Sequence, residues 1–127
     1  MSVTGLPPYD DANIFARILR GEIPAKKVHE DEHALAFHDI NPQAPVHVLV
    51  IPKGRYVSLV DFAAQASEAE IAGFWRVVGK VAKDLGLEGA GYRVLTNMGQ
   101  DGGQEVPHFH VHIFGGRRIG RMVARGE

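Results

Sequence analysis

The sequence predicts a domain of mixed helices and strands, and three observations carry that reading. Short alternating apolar segments recur between turn residues, and one long segment shows helical apolar spacing behind a capping box. An apolar run near the C-terminus then carries histidine at every second position. The length of 127 residues is close to the commonest domain size, so one domain burying roughly two-thirds of its unfolded surface is expected.

Taken in chain order, Asn13 or Asp11 can cap a short helix running to Arg20. Ile14, Phe15, Ile18 and Leu19 lie on one side of it, and Gly21 and Pro24 stop it. Lys26 to Glu30 and Ala34 to His38 read as strands flanking the polar turn Asp31-Glu32-His33. Val46 to Ile51 is an alternating segment closed by Pro52-Lys53-Gly54. Ser67 and Glu70 have capping-box spacing. Behind them Ile71, Phe74, Trp75, Val78, Val81, Ala82 and Leu85 form an apolar stripe that Gly86 terminates. Gly73 and Gly79 each cost this helix about 1 kcal/mol relative to alanine, which predicts close packing at both. Tyr92 to Asn97 reads as a fourth strand and His108 to Phe114 as the last. No linker, repeat or low-complexity segment interrupts this order.

Composition narrows the function classes. Fourteen basic against fifteen acidic side chains give a formal charge of −1, which argues against electrostatic binding to nucleic acid or to anionic membranes. The absence of cysteine excludes disulfides, zinc-thiolate sites and a cysteine nucleophile. Met1 to Asn13 has neither the basic nor the apolar region of a secretion signal, and no run approaches membrane-spanning length. A cytoplasmic protein is the simplest expectation.

The chemistry concentrates in His108-Phe109-His110-Val111-His112. Side chains alternate across a strand, so the three imidazoles share one face while Phe109, Val111 and Ile113 take the other. Such a row can supply a nucleophile, a proton donor or metal ligands. Just upstream lies Met98-Gly99-Gln100-Asp101-Gly102-Gly103-Gln104-Glu105, whose glycines allow successive backbone N–H groups to turn toward one anion. The expectation is a phosphate nest beside the histidine strand.

The run from His108 to Phe114 resembles the His-x-His-x-His signature of the histidine triad family, in which each x is apolar. Ile23-Pro24-Ala25-Lys26, Ala36 to Pro45, His47, Ile51-Pro52-Lys53 and Asp101-Gly102-Gly103-Gln104 are similar to its Hint branch, the nucleoside phosphoramidate hydrolases. The resemblance covers residues 13–116 of a single domain 1–127, whose N-terminal segment 1–10 and C-terminal tail 117–127 are expected to be flexible. It implies an α+β fold with a five-stranded antiparallel sheet. It also implies a homodimer joined through the fourth strands, a purine nucleotide substrate, and neither cofactor nor metal.

Carried over residue by residue, the resemblance makes His110 the nucleophile that attacks the α-phosphorus and places His112 beside the leaving group. His108 and His47 become the supports that fix tautomer and ring orientation. Asn97, Gly103, Gln104 and the backbone of Glu105 and Val106 match phosphate-contacting positions. Asp39 matches the carboxylate that takes the ribose hydroxyls, and Ile14, Phe15, Ile18, Phe37, His38 and Ile40 match the lining of the base cleft. Without the resemblance those apolar residues read as ordinary core, and Asp39 as a turn residue near Pro42. His29 and His33 have no suggested role and are expected to be solvated.

The chain departs from the pattern at Pro107, where tyrosine is frequent, and at Arg55, which replaces a histidine after Ile51-Pro52-Lys53. Glu105 matches bacterial-type members. The tail carries four arginines and no tryptophan, so leaving-group preference does not transfer. Alternative readings are a dinucleoside polyphosphate hydrolase and a nucleotide-binding regulator with vestigial catalysis. A zinc site is the third, using two strand histidines with His112 or His47 as a further ligand.

Overall fold

The computed structural model describes residues 3–124. Helix α1 (Ile14–Leu19) opens with Asn13, whose side chain accepts the Ala16 N–H as an N-cap. Strands β1 (Lys27–Glu30), β2 (Ala34–His38) and β3 (Val46–Pro52) follow. Two helices come next, α2 (Leu59–Gln65) and α3 (Glu68–Asp84), then β4 (Arg93–Leu95), a helical turn α4 (Gly99–Gly102) and β5 (Val111–Gly115). The strands form one antiparallel sheet in the order β1-β2-β3-β5-β4, which is the α+β architecture that the resemblance implies.

Each face of the sheet has its own cover. Ala34, Ala36, Val48, Val50, Val111 and Ile113 point to one face and pack against Phe74, Val77, Val78, Val81 and Ala82 of α3. Leu35, Phe37, Leu49 and Ile51 point to the other, where Phe15 and Ile18 of α1 cover them. Helix α1 is short, so the part of that second face carrying His47, His112 and Phe114 stays outside this core. Period-two alternation therefore assigns one face to the main core and leaves the other for a site.

The capping box Ser67/Glu70 starts α3 as the sequence predicts. Trp75, placed in the predicted stripe, is instead 40% exposed, and Val77 takes the buried position. Gly73 is close-packed, because a Cβ there would stand 2.3 Å from the His33 ring, whereas Gly79 meets nothing within 4 Å. His33 is half-buried by this packing and His29 is half-buried as well, against the expectation of solvation, with His29 Nε2 3.2 Å from Asp31 Oδ2. Helix α2 adds to the sequence reading: Ser58 and Asp61 form a second capping box, and the buried Asp61 carboxylate accepts the Val57 and Ser58 N–H groups. Strand β4 is shorter than predicted, and the ladder of β5 begins at Val111 rather than His108.

Two segments expected to be flexible are anchored where they are described. The Ser58 hydroxyl donates to the Gly5 carbonyl at 2.6 Å, and Tyr9 reaches His108. Downstream, the Arg93 guanidinium donates to the carbonyls of Gly120 and Arg121 at 2.9 and 2.8 Å. Residues 1–2 and 125–127, which belong to those expectations, lie outside the described residues. Among the described residues no helix is long and apolar enough to cross a membrane.

Candidate active site

His108 and His110 occupy the extended approach to β5, and their backbone is held from both sides. Between them the Phe109 N–H donates to the Tyr56 carbonyl at 2.7 Å. Phe109 also stacks on Phe62 with ring centroids 4.6 Å apart. Such an aromatic pair contributes about 0.5–1.5 kcal/mol beyond the area it buries. The Thr96 hydroxyl donates to the His110 carbonyl at 2.7 Å. Residues that face away from the chemistry thus fix the backbone that carries it.

Hydrogen bonding determines which ring nitrogen carries each proton. His108 Nε2 lies 2.9 Å from the Pro52 carbonyl, an acceptor only, so Nε2 is the protonated nitrogen. His108 Nδ1 then accepts from the Tyr9 hydroxyl at 2.6 Å. His110 Nδ1 lies 2.7 Å from the His108 carbonyl and must donate to it, which leaves the lone pair on His110 Nε2. The Gln43 N–H donates to His47 Nδ1 at 3.1 Å, so the proton of neutral His47 sits on Nε2. From there it reaches His112 Nδ1 at 2.9 Å. Neutral His112 consequently carries its own proton on Nε2. The site pairs one imidazole with an available lone pair and one with an available N–H.

Burial keeps these rings neutral. Desolvation pushes His108 down to about 4, with the His110 charge adding to it and the Pro52 carbonyl opposing it. His112 is pushed to about 4 by burial and then by the neighbouring His110 and His47. Burial also lowers His110, against the His108 carbonyl, Asp39 and Glu105, and lowers His47 against Asp39. Neutral imidazole is the form that attacks phosphorus.

Asp39 follows β2 and faces His47, with Oδ2 3.4 Å from His47 Nε2, while Oδ1 accepts the Asn41 N–H at 2.8 Å. A cleft of about 770 Å³ opens beside it, lined by Lys26, His38, Asp39, Ile40, Pro42 and His47 among others. Ile40 is 94% exposed and presents an apolar wall. Phe15 meets His110 edge-on with centroids 4.9 Å apart. Ile18 and Phe37 are buried in the core under α1, and Ile14 is exposed. Of the six predicted base contacts, His38 and Ile40 therefore line the cleft and Phe15 adjoins the triad.

The glycine segment differs from the predicted nest. It forms α4, in which the Gly103 and Gln104 N–H groups bond to the Gln100 and Gly99 carbonyls. Gln104 is buried and fully engaged: its amide donates to Val57 and Val106 at 2.7 and 3.1 Å, and its oxygen accepts the Gly99 N–H at 3.0 Å. Its side chain holds the loop together rather than reaching outward. Asn97 is half-buried beside Gly102. Among the described residues the Glu105 and Val106 N–H groups make no hydrogen bond and remain available as donors.

Asp39, His47 and His112 could also hold a metal, since their ligand atoms lie within 4.8 Å of one another. Sequence reasoning missed Tyr9, Gln43, Pro52 and Thr96. Gln43 and Pro52 lie in segments that carry the resemblance and Thr96 in a predicted strand, but the first two act through backbone groups, and Tyr9 comes from a distant segment with no signal of its own.

Comparison with known proteins agrees with this architecture. A family model described as HIT domain matches residues 20–119, and the chain belongs to that family. It is 65% identical over 118 residues to an uncharacterized 13.2 kDa HIT-like protein of Azospirillum brasilense, covering 93% of this chain and 97% of the relative. It is 40% identical over 114 residues to the purine nucleoside phosphoramidase of Escherichia coli K12, covering 90% and 95%. The structure of a histidine triad protein from Clostridium difficile superposes with a TM-score of 0.79 at 44% identity, covering 87% of this chain and 95% of that one.

Proposed function

We propose that this chain is a purine nucleoside phosphoramidate hydrolase that works through a nucleotidyl-histidine. The observation that carries the proposal is the proton arrangement: His110 Nδ1 is committed to the His108 carbonyl, which leaves the lone pair on Nε2, and the His112 ring, with its free N–H on Nε2, lies 5.1 Å away centroid to centroid. The phosphoramidase relative in Escherichia coli supports the P–N bond as the target.

In the first half-reaction His110 Nε2 bonds to the α-phosphorus and the P–N bond breaks. The departing amine takes a proton from His112, whose protonated form the anionic phosphate favours. In the second, water bonds to phosphorus, the N–P bond to His110 breaks, and the water proton returns to His112. Nucleoside monophosphate and neutral His110 result, so the cycle closes. The free N–H groups of Glu105 and Val106 are suited to charge developing on the phosphoryl oxygens. Asp39 is suited to the ribose hydroxyls, and the cleft beside Ile40 to the base.

Turnover of adenosine 5′-phosphoramidate should be compared with that of diadenosine polyphosphates, with and without chelator. His110→Ala should retain the fold and AMP binding while losing several orders of magnitude in rate, and rapid quench of the parent should trap a nucleotidyl adduct on His110. Parent-like turnover in His110→Ala refutes the nucleophile. Loss of activity in chelator together with stoichiometric zinc would point instead to the Asp39, His47 and His112 cluster as a metal centre.

A further inference from the structure

The histidine strand is buttressed from the opposite end of the chain. Gly5 is buried so closely that a Cβ there would stand 2.9 Å from Gln104 Oε1, Gly99 N and Met98 Cε. The segment continues to Tyr9, whose hydroxyl lies 2.6 Å from His108 Nδ1. Arg55 holds this end in place. Its guanidinium sits 5.0 Å over the Tyr9 ring and forks onto both Asp11 carboxylate oxygens at 2.9 and 2.8 Å. The planar fork gives the contact a fixed direction even though the pair is exposed. None of Gly5, Tyr9 and Asp11 falls within residues 20–119, where the family model matches.

The chemistry of His108 gives the Tyr9 hydroxyl its role. Because His108 Nε2–H is spent on Pro52, Nδ1 can only accept, and Tyr9 is its donor. His108 is 0% exposed, so no bulk water can take the place of that hydroxyl. The ring is thereby pinned at both nitrogens. Its own carbonyl holds the His110 Nδ1 proton and so keeps the lone pair on the attacking nitrogen.

We propose that Tyr9, locked by the Arg55–Asp11 fork, is a positioning residue of the catalytic site, whose hydroxyl orients His110 through His108 without touching substrate. The proposal rests on the hydrolase reading above. Tyr9→Phe keeps the ring and its packing and removes one donor. It should lower kcat by roughly tenfold to a hundredfold, the range for a buried polar group left unpaired, while KM stays within about twofold. Arg55→Gln should lower kcat by less, and should have no further effect in the Tyr9→Phe background, because both act through one hydroxyl.

A readout independent of turnover is the set of imidazole nitrogen resonances of the unliganded protein. Tyr9→Phe should shift His108 Nδ1, and should move the His110 Nδ1 resonance as its hydrogen bond to the His108 carbonyl loosens. A kcat within about twofold of the parent with unchanged His110 resonances overturns the proposal, as does a loss shared between kcat and KM in proportion to lost stability. If the parent itself fails to turn over phosphoramidates, the hydrolase reading falls, and the resonances still decide whether Tyr9 orients His110.

Discussion

His47 Nε2 stands 2.9 Å from His112 Nδ1, and the proton between them originates on His47 because the Gln43 amide already occupies the other His47 nitrogen. The pair therefore sets the face that His112 turns toward substrate. His47→Ala should release that constraint and lower kcat by about tenfold, equivalent to about 1.4 kcal/mol of barrier. His47→Gln, which keeps an N–H donor, should recover part of the loss. Equal rates for the two variants would show that the proton of His47 is irrelevant.

The depressed histidines predict how stability depends on pH. His108 and His112 are held at about 4 in the folded chain, below the ordinary value near 6.5. Between those values the unfolded chain binds more protons, so stability is full above about pH 6.5 and declines as pH falls toward about 4. For buried His108 the difference amounts to roughly 3 kcal/mol. Urea midpoints measured from neutral pH downward should fall through this window, and a midpoint independent of pH there would contradict neutral burial.

Asp39 retains lone pairs beyond the one given to Asn41, facing the cleft beside His47. Asp39→Ala should weaken nucleotide binding by roughly 1.5–3 kcal/mol, the range for a hydrogen bond to a charged group. Titration calorimetry with 2′-deoxy nucleotides should show a smaller loss. Identical losses for both sugars would make Asp39 a turn residue only.

Strand β4 is an edge, and its residue Val94 is 37% exposed opposite Ile113. An unpaired apolar edge invites another strand, and a two-fold partner pairs it with its own copy. Sedimentation at micromolar concentration should therefore give a dimer, and Val94→Asp a monomer. Val94 is a cleaner probe than Leu95, which lies opposite His112 and would bring charge to the site. A parent that sediments as a monomer removes the proposal.

The sequence was legible where a local rule decides the outcome. Ser67 and Glu70 mark the start of α3 because a capping box is contained in four residues. The histidine alternation likewise places His110 and His112 on one wall. It was illegible where the deciding contact is distant: Tyr9 and His108 are separated by 99 positions, and nothing near either announces the other. Gln104 shows a further limit. Residue type identifies an amide beside the phosphate loop, yet only the structure shows that its hydrogen bonds go to Val57, Val106 and Gly99. Helix α2 was missed although Ser58 and Asp61 carry the capping signal, because seven residues hold too few turns for a clear period.

The alternation from Phe109 to Ile113 has an evolutionary consequence. Phe109, Val111 and Ile113 answer to the packing of α3, and the intervening histidines to chemistry. The two sets answer to different contacts although they share one backbone. A substitution at one even position alters one imidazole and leaves the packed set in place, whereas one inserted residue inside the run exchanges the two sets and destroys both at once. Such a strand is permissive to substitution and intolerant of length change.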